Sequence, residues 1–315
     1  MENKLTTVKA IGHMDPLDFK ALRIFLAVAR TGSIRSAGEQ MALAPSIVSR
    51  QIADIERNTG LPLFERTSRG VRLTDAGHLV LEHANRVRED SALLSEQLNR
   101  IKGLQQCTVR VSCGEGFLAD LIEHGVKSFS DVYPGVRFAI QTGNTDEVVD
   151  AVANSDVDLG IAYNPTIDPR LRSLAISRQP LCFVAPPKHK LLDHGSLRLE
   201  ECIGEPCAVL VRGHGVMQLL SRVASDAGLA VAPVIETPSI DVLRRFVMAG
   251  MGVTFLPRAS VTTELARGAV GAVELSDSLL SSASAHLLVK SRRRLPTSVE
   301  RLAGWLTDRM SAFRH

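Results

Sequence analysis

The stretch FLAVARTGSIRSAGEQMALAPSIVSRQIADIERNTGLPLFERTSRGVRLTDAG, residues 25–77, decides the fold of the N-terminal third. Leu22, Phe25, Leu26 and Ala29 recur at three- and four-residue spacing, which predicts a helix over Leu17–Arg30. Asp15-Pro16 offers a cap with a first-turn proline, and Thr31-Gly32 a stop. Ser33 can cap a second helix running to about Met41, with Ile34, Ala37 and Met41 inward. After a turn at Ala42–Ala44, Pro45 opens a third helix to about Asn58 with Val48, Ile52 and Ile55 inward, closed by Gly60. Three short helices with a tight turn between the second and third have helix-turn-helix spacing. Leu63–Thr74, centred on Ser68-Arg69-Gly70, reads as a two-stranded wing with a basic tip.

Charge supports a polyanion partner for this module. The 315-residue chain carries a net charge of +3, and Phe19–Leu73 alone holds 9 basic against 4 acidic residues. Residues 107–315 are balanced at 22 of each. An α-helix fits the DNA major groove, with its N-terminal residues at base edges. Ser46, Ser49 and Arg50 lie opposite Val48 and Ile52, and Pro45 offers only an apolar contact. Ser33 and Arg35 at the start of the second helix, and Arg66, Arg69 and Arg72 on the wing, complete the expected interface with double-stranded DNA.

Asp75–Lys102 reads as one long helix, because Val80, Ala84, Val87, Ser91, Leu94, Leu98 and Ile101 alternate by four and three. So narrow a seam suits pairing with a second copy; docking on the chain's own body is the alternative. From Cys107 onward strands and helices alternate, which indicates an α/β region. Two sets of such units imply two lobes. The expected organisation is a lead-in over 1–14, a DNA-binding module over 15–74, a linker helix over 75–103 and an α/β region over 107–315. Its first lobe takes about 107–179 and 267–315, and its second about 180–266.

Residues 25–77 closely resemble the winged helix-turn-helix of LysR-type transcriptional regulators. The resemblance is carried by Gly32-Ser33, Ser49-Arg50-Gln51-Ile52, Ile55-Glu56, Leu63-Phe64-Glu65-Arg66 and Leu73-Thr74-Asp75-Ala76-Gly77. Tyr133-Pro134-Gly135-Val136 and Met251–Pro257 extend it more loosely to the remainder. It implies a winged helix-turn-helix, a long linker helix and a two-lobed, periplasmic-binding-protein-like effector domain. It also implies a homodimer or homotetramer, contact with RNA polymerase, and a small organic or aromatic acid as effector. Many members have Gln where Pro45 stands, and Ser or Thr where Ala44, Gly114 and Gly116 stand.

In open α/β sheets, ligands bind at strand carboxyl ends and helix N-termini. Those positions are Ser112, Gly114, Glu115, Gly116, Phe117, Thr142, Asn144, Thr145, Tyr163, Asn164, His214, Thr237 and Ser239. Gly114 and Gly116 leave backbone N–H groups open to an anion, and His214 can pair with an acid. An inward Glu115 repels a carboxylate and favours an amine, hydroxyl or cation; an outward one is only a turn residue. The outward placement is the preferred one.

Other chemistries find little support. No dinucleotide loop, phosphate loop or nucleophile elbow is present, and no His/Cys set has zinc spacing, so neither catalysis nor a cofactor or metal is expected. No run of 18 apolar residues occurs, and the N-terminus lacks a secretory signal, so a cytoplasmic protein away from membranes is expected. Five sparse cysteines argue against a disulfide framework. Cys202 and Cys207 leave open an oxidant-sensing pair or two small buried hydrophobes. A different reading of the whole chain is an architectural DNA-binding protein whose α/β part only oligomerises.

Overall fold

The computed structural model describes residues 17–68, 70–101 and 107–314. The chain divides into two compact units, the boundary falling between Ser95 and Glu96. The first contains α1 (Phe19–Thr31), α2 (Ile34–Met41), α3 (Pro45–Thr59), β1 (Phe64–Thr67), β2 (Gly70–Leu73) and most of α4 (Asp75–Ile101). Helix α1 starts later than the spacing predicts because Asp18 caps it, its Oδ1 accepting from the Ala21 N–H at 2.6 Å. The expected cap at Asp15-Pro16 lies outside the described residues. Gly32 ends α1 in the left-handed region at φ 61°.

One apolar cluster joins the three helices. Ile24, Phe25 and Val28 of α1, Ala37 of α2, and Val48, Ile52 and Ile55 of α3 are buried together. Each large aliphatic or aromatic side chain so buried contributes roughly 1.5–3 kcal/mol. The turn between α2 and α3 passes against Gly38, where a Cβ would stand 2.8 Å from the Leu43 carbonyl oxygen. Side-chain bulk at that position would push the two helices apart. As the sequence suggests, Ala44 at the start of α3 makes no side-chain cap.

The second unit takes in the end of α4 and, from Cys107, β3 (Cys107–Cys113). Next come α5 (Leu118–Asp120), a π-helical stretch over Leu121–Val126, and α6 (Lys127–Val132), in place of one regular helix. There follow β4 (Val136–Thr142), α7 (Thr145–Ala153), β5 (Leu159–Tyr163), β6 (Leu171–Arg178), β7 (Leu181–Ala185), α8 (Leu199–Cys202) and β8 (Cys207–Leu210). Then come α9 (Gly215–Asp226), β9 (Ile235–Thr237), α10 (Ile240–Met248), β10 (Val253–Pro257) and α11 (Thr262–Ala266). The unit ends with β11 (Gly271–Glu274), α12 (Ser278–Ser281), β12 (Ser284–Lys290) and α13 (Thr297–Arg309).

These strands form two five-stranded sheets, ordered β4-β3-β5-β12-β6 and β11-β7-β10-β8-β9. The chain enters the second sheet at β7. Its return falls after Glu274, not near Arg267, because β11 pairs antiparallel with β7. Alternation alone did not reveal β11 or the polar edge strand β6. Strand β9 is shorter than the sequence stretch Val231–Glu236, whose Pro233 lacks an N–H for a ladder.

A buried ion cluster ties the first sheet together. The Asp158 carboxylate accepts from the Arg110 backbone N–H and guanidinium, and from Arg293 Nη2 at 2.9 Å. Burial opposes the carboxylate's charge, but the hydrogen bonds and charge of Arg110, with the charge of Arg293, outweigh it and hold the carboxyl below its usual range. Removing one partner of a buried pair strands the others. Asp158→Ala should therefore lower unfolding stability by about 3–5 kcal/mol at neutral pH. The depressed carboxyl stabilises above its unfolded pKa of about 3.9, and this is lost as pH falls through the lower folded value. The gap between wild type and variant in urea unfolding should narrow in acid; a gap independent of pH would refute the ionic account.

Candidate nucleic-acid interface and effector cleft

The outer face of α3 follows from its inner face. With Val48, Ile52 and Ile55 fixed inward, Pro45, Ser46, Ser49 and Arg50 are exposed on the other side. Arg50 makes no ion pair among the described residues, so its donors are available. The helix is held at its far end by Glu56, whose Oε1 accepts from the N–H groups of Leu63 at 2.7 Å and Phe64 at 3.1 Å. This carboxylate links α3 to the first wing strand.

Strands β1 and β2 pair antiparallel from Phe64 with Leu73 to Thr67 with Gly70. Arg66 is exposed and unpaired among the described residues, whereas Arg72 meets Glu65 at 3.3 Å. Arg69 lies outside the described residues. Gly70 has φ 135° and lies so close to the Gly32 carbonyl that a Cβ would overlap it. The Val71 N–H donates to that same carbonyl at 2.8 Å, fixing the wing to the end of α1. Ser33 caps α2 by accepting from the Ser36 N–H, and Arg35 pairs with Glu39 at 3.1 Å on the surface.

The seam of α4 serves two surfaces. Ala84 is buried in the first unit's own core, with Val80 and Val87 packed against it. Docking on the chain's own body thus uses the first half of the seam. Leu94 and Leu98, 56% and 46% exposed, continue it without cover.

Between the two sheets of the second unit lies a cleft lined by Gly114, Glu115, Gly116, Phe117, Thr145, Tyr163 and His214. Gly143 and Gly215, which fall in the stretches Thr142–Thr145 and His214-Gly215 marked by the strand-end rule, line it too, as do Leu210, Val216, Ile240, Pro257 and Ser260, which sequence reasoning did not name. Pro257 ends β10 and Ser260 follows it by three residues, so the strand-end rule would have found them. Six expected residues are not among those lining it. Ser112 is buried in β3, and Thr142 is exposed at the end of β4. Asn144 caps α7 in a capping box with Glu147, and the Asn164 N–H bonds the Ser284 carbonyl. Thr237 Oγ1 accepts from the Ser239 N–H, and Ser239 is engaged by Glu115.

Glu115 faces inward, contrary to the preferred outward placement. Its Oε2 accepts from the Ile240 N–H at 2.7 Å, and its Oε1 from the Ser239 hydroxyl at 3.1 Å. The first N–H groups of α10 attract it, since they have no acceptor within the helix. Thr145 does the same for α9, its Oγ1 accepting from the Gly215 N–H at 2.8 Å. A Cβ at Gly215 would overlap the Tyr163 carbonyl oxygen, so the backbones of the two lobes touch here. The remaining space holds about 30 Å³, room for a water or two. Burial pushes His214 below the usual imidazole range, against the charges of Glu115, Glu147 and Asp146, so it is a poor cation for an acid.

Cys202 and Cys207 are buried as well. Burial pushes the Cys202 thiol up to about 12 and raises Cys207, which disfavours the thiolate form on which oxidant sensing depends. Among the described residues no cluster of His, Cys, Asp and Glu could hold a metal, and no helix is long and apolar enough to cross a membrane.

A basic winged helix-turn-helix joined to a two-lobed α/β unit defines a DNA-binding regulator with an effector-type domain. Residues 19–78 match the bacterial regulatory helix-turn-helix proteins of the lysR family, and residues 102–311 the LysR substrate binding domain. The chain belongs to the LysR family of transcriptional regulators. It is similar to the HTH-type transcriptional regulator CfxR of Cupriavidus necator, 27% identical over 300 residues that span 94% of this chain and 93% of CfxR. It is 30% identical over 261 residues to the HTH-type transcriptional regulator CbbR of Cereibacter sphaeroides, spanning 81% of this chain and 83% of CbbR. A full-length OxyR variant from Pseudomonas aeruginosa shares the fold, with a TM-score of 0.69 at 19% identity over 92% of this chain and 95% of that one.

The Thr145 contact is open to test. Thr145→Val keeps the volume but leaves the buried Gly215 N–H without its acceptor, and should cost about 1–3 kcal/mol. Thr145→Ser should stay near wild type in urea unfolding. Equal losses from both substitutions would assign the effect to packing and not to the cap.

Proposed function

We propose that this regulator binds a partly palindromic operator as a dimer or tetramer, with α3 in the major groove and the wing on the adjacent backbone. The observation that carries this reading is the exposed Arg50, unpaired among the described residues, between Ser49 and the buried Ile52. Arg50 would read guanine or clamp a phosphate, while Ser46 and Ser49 make adaptable contacts. Pro45 removes the polar reader that the family often has there, so sequence choice falls more heavily on Arg50 and on the wing. Ser33, Arg35, Arg66, Arg69 and Arg72 serve chiefly as phosphate contacts, which position without specifying.

The uncovered leucines of α4 support pairing with a second copy, and a small molecule between the lobes supports control. Ligand entry biases one of two lobe arrangements, which alters DNA bend and polymerase contact. The acid class implied by family resemblance conflicts with the carboxylate already seated in the cleft. The effector is therefore read here as a small molecule that enters by parting Glu115 from Ser239 and Ile240. The small volume of the cleft also favours a second reading, an architectural DNA-binding protein whose α/β unit only oligomerises. A metabolite screen against operator binding separates the two.

Arg50→Ala should weaken operator affinity by roughly 1–3 kcal/mol, about 5- to 150-fold, in a shift assay at fixed salt. Unchanged affinity would sink the recognition-helix assignment. Replacing Leu94 and Leu98 together by Asp should move the protein toward monomer in sedimentation, with half-site binding retained. An unaltered oligomer would place the contact elsewhere.

A further inference from the structure

Two helices of the second lobe start at the cleft, and neither has a side-chain cap from its own N-cap residue. Both are capped from the first lobe instead. Thr145 opens α7 and serves α9. Glu115 follows β3 and serves α10 through Ile240, with a longer contact to the Asp241 N–H at 3.4 Å. No cation pairs with Glu115 among the described residues, so backbone N–H groups and one hydroxyl hold its charge. Beside it, Gly116 passes so near Ser260 that a Cβ would overlap the Ser260 hydroxyl. The space left is about 30 Å³, whereas small-molecule pockets run to several hundred.

A carboxylate at a helix N-terminus, bridging two lobes, is the geometry by which a free acid would close such a cleft. Here the carboxylate is part of the chain. We propose that Glu115 is a tethered ligand: it fills the anion position at the start of α10, closes the lobes without an acid effector, and excludes free carboxylates from that position. The inference deepens the reading of this cleft as the effector site and rests on it. The tether makes closure intramolecular, so a free acid must both displace Glu115 and overcome its repulsion. Gly116 belongs to the same device, since its lack of a Cβ lets the second lobe approach at Ser260.

The test is native-state hydrogen exchange of the full-length protein at the first amides of α10. Sodium acetate is the probe, with sodium chloride at equal ionic strength as control. In wild type these amides should be protected and indifferent to acetate. In Glu115→Ala they should exchange at least about tenfold faster, because charge-assisted bonds are lost, and acetate should restore protection. Glu115→Gln, nearly isosteric, should fall between, and it decides the matter if the alanine variant does not fold. Unchanged protection in both variants, or acetate acting equally on wild type, would overturn the proposal. Failure of the effector reading would look different. Operator binding would then ignore every small molecule while the exchange pattern stood.

Discussion

The second unit depends on a simple constraint: the first turn of a helix leaves N–H groups that no residue of that helix can satisfy. In α9 and α10 these groups face the first lobe, and the first lobe supplies the acceptors, Thr145 and Glu115. The same two residues therefore cap the helices and join the lobes, so that opening the cleft would expose two helix ends at once. The buried Asp158 cluster steadies the other side of the contact. It binds β3, the strand that leads to Glu115, to the segments before β5 and after β12.

The first unit meets an analogous requirement with backbone instead of charge. Gly32 ends α1 and presents its carbonyl to Val71, while Gly70 allows the approach. Glu56 performs the matching task between α3 and β1. The helix carrying Arg50 is therefore held at its inner face by the core and at its far end by the wing. Its N-terminal half presents an exposed face, as the proposed contact with DNA requires. Rigid support beneath a polar face suits a module that must present side chains at fixed spacing to a groove.

Control in such a protein requires an arrangement that a ligand can bias. Glu115 shifts the expectation for this chain. A cleft that awaits an acid is open until the acid arrives, whereas one that holds its own carboxylate starts closed. On the proposal made above, an effector would have to compete with an internal partner at high effective concentration. The lowered basicity of His214 fits this state, since no Lys or Arg is among the described residues that line the cleft. The same logic applies to Cys202 and Cys207, whose burial makes them part of the core.

Much of this was legible in the chain. Apolar spacing placed α1 to α3, and Gly60 marked the end of α3. The Phe64–Leu73 hairpin announced itself through its turn residues, because helix period and turn chemistry are local properties. Periodicity also implied the use of Val80, Ala84 and Leu94, but not which of them meets the chain's own core. Strands β6 and β11 escaped notice, since β6 carries Arg and Ser along a sheet edge and β11 is only the four residues Gly271–Glu274, and both obtain their identity from a partner. Glu115 shows the limit most clearly. The sequence determined a carboxylate between two glycines at a strand end. Its direction was decided by the start of α10, 125 residues away, which only the folded chain brings within 2.7 Å. A side chain's orientation follows the field and hydrogen bonds of its neighbours in space, and those neighbours are set by tertiary structure.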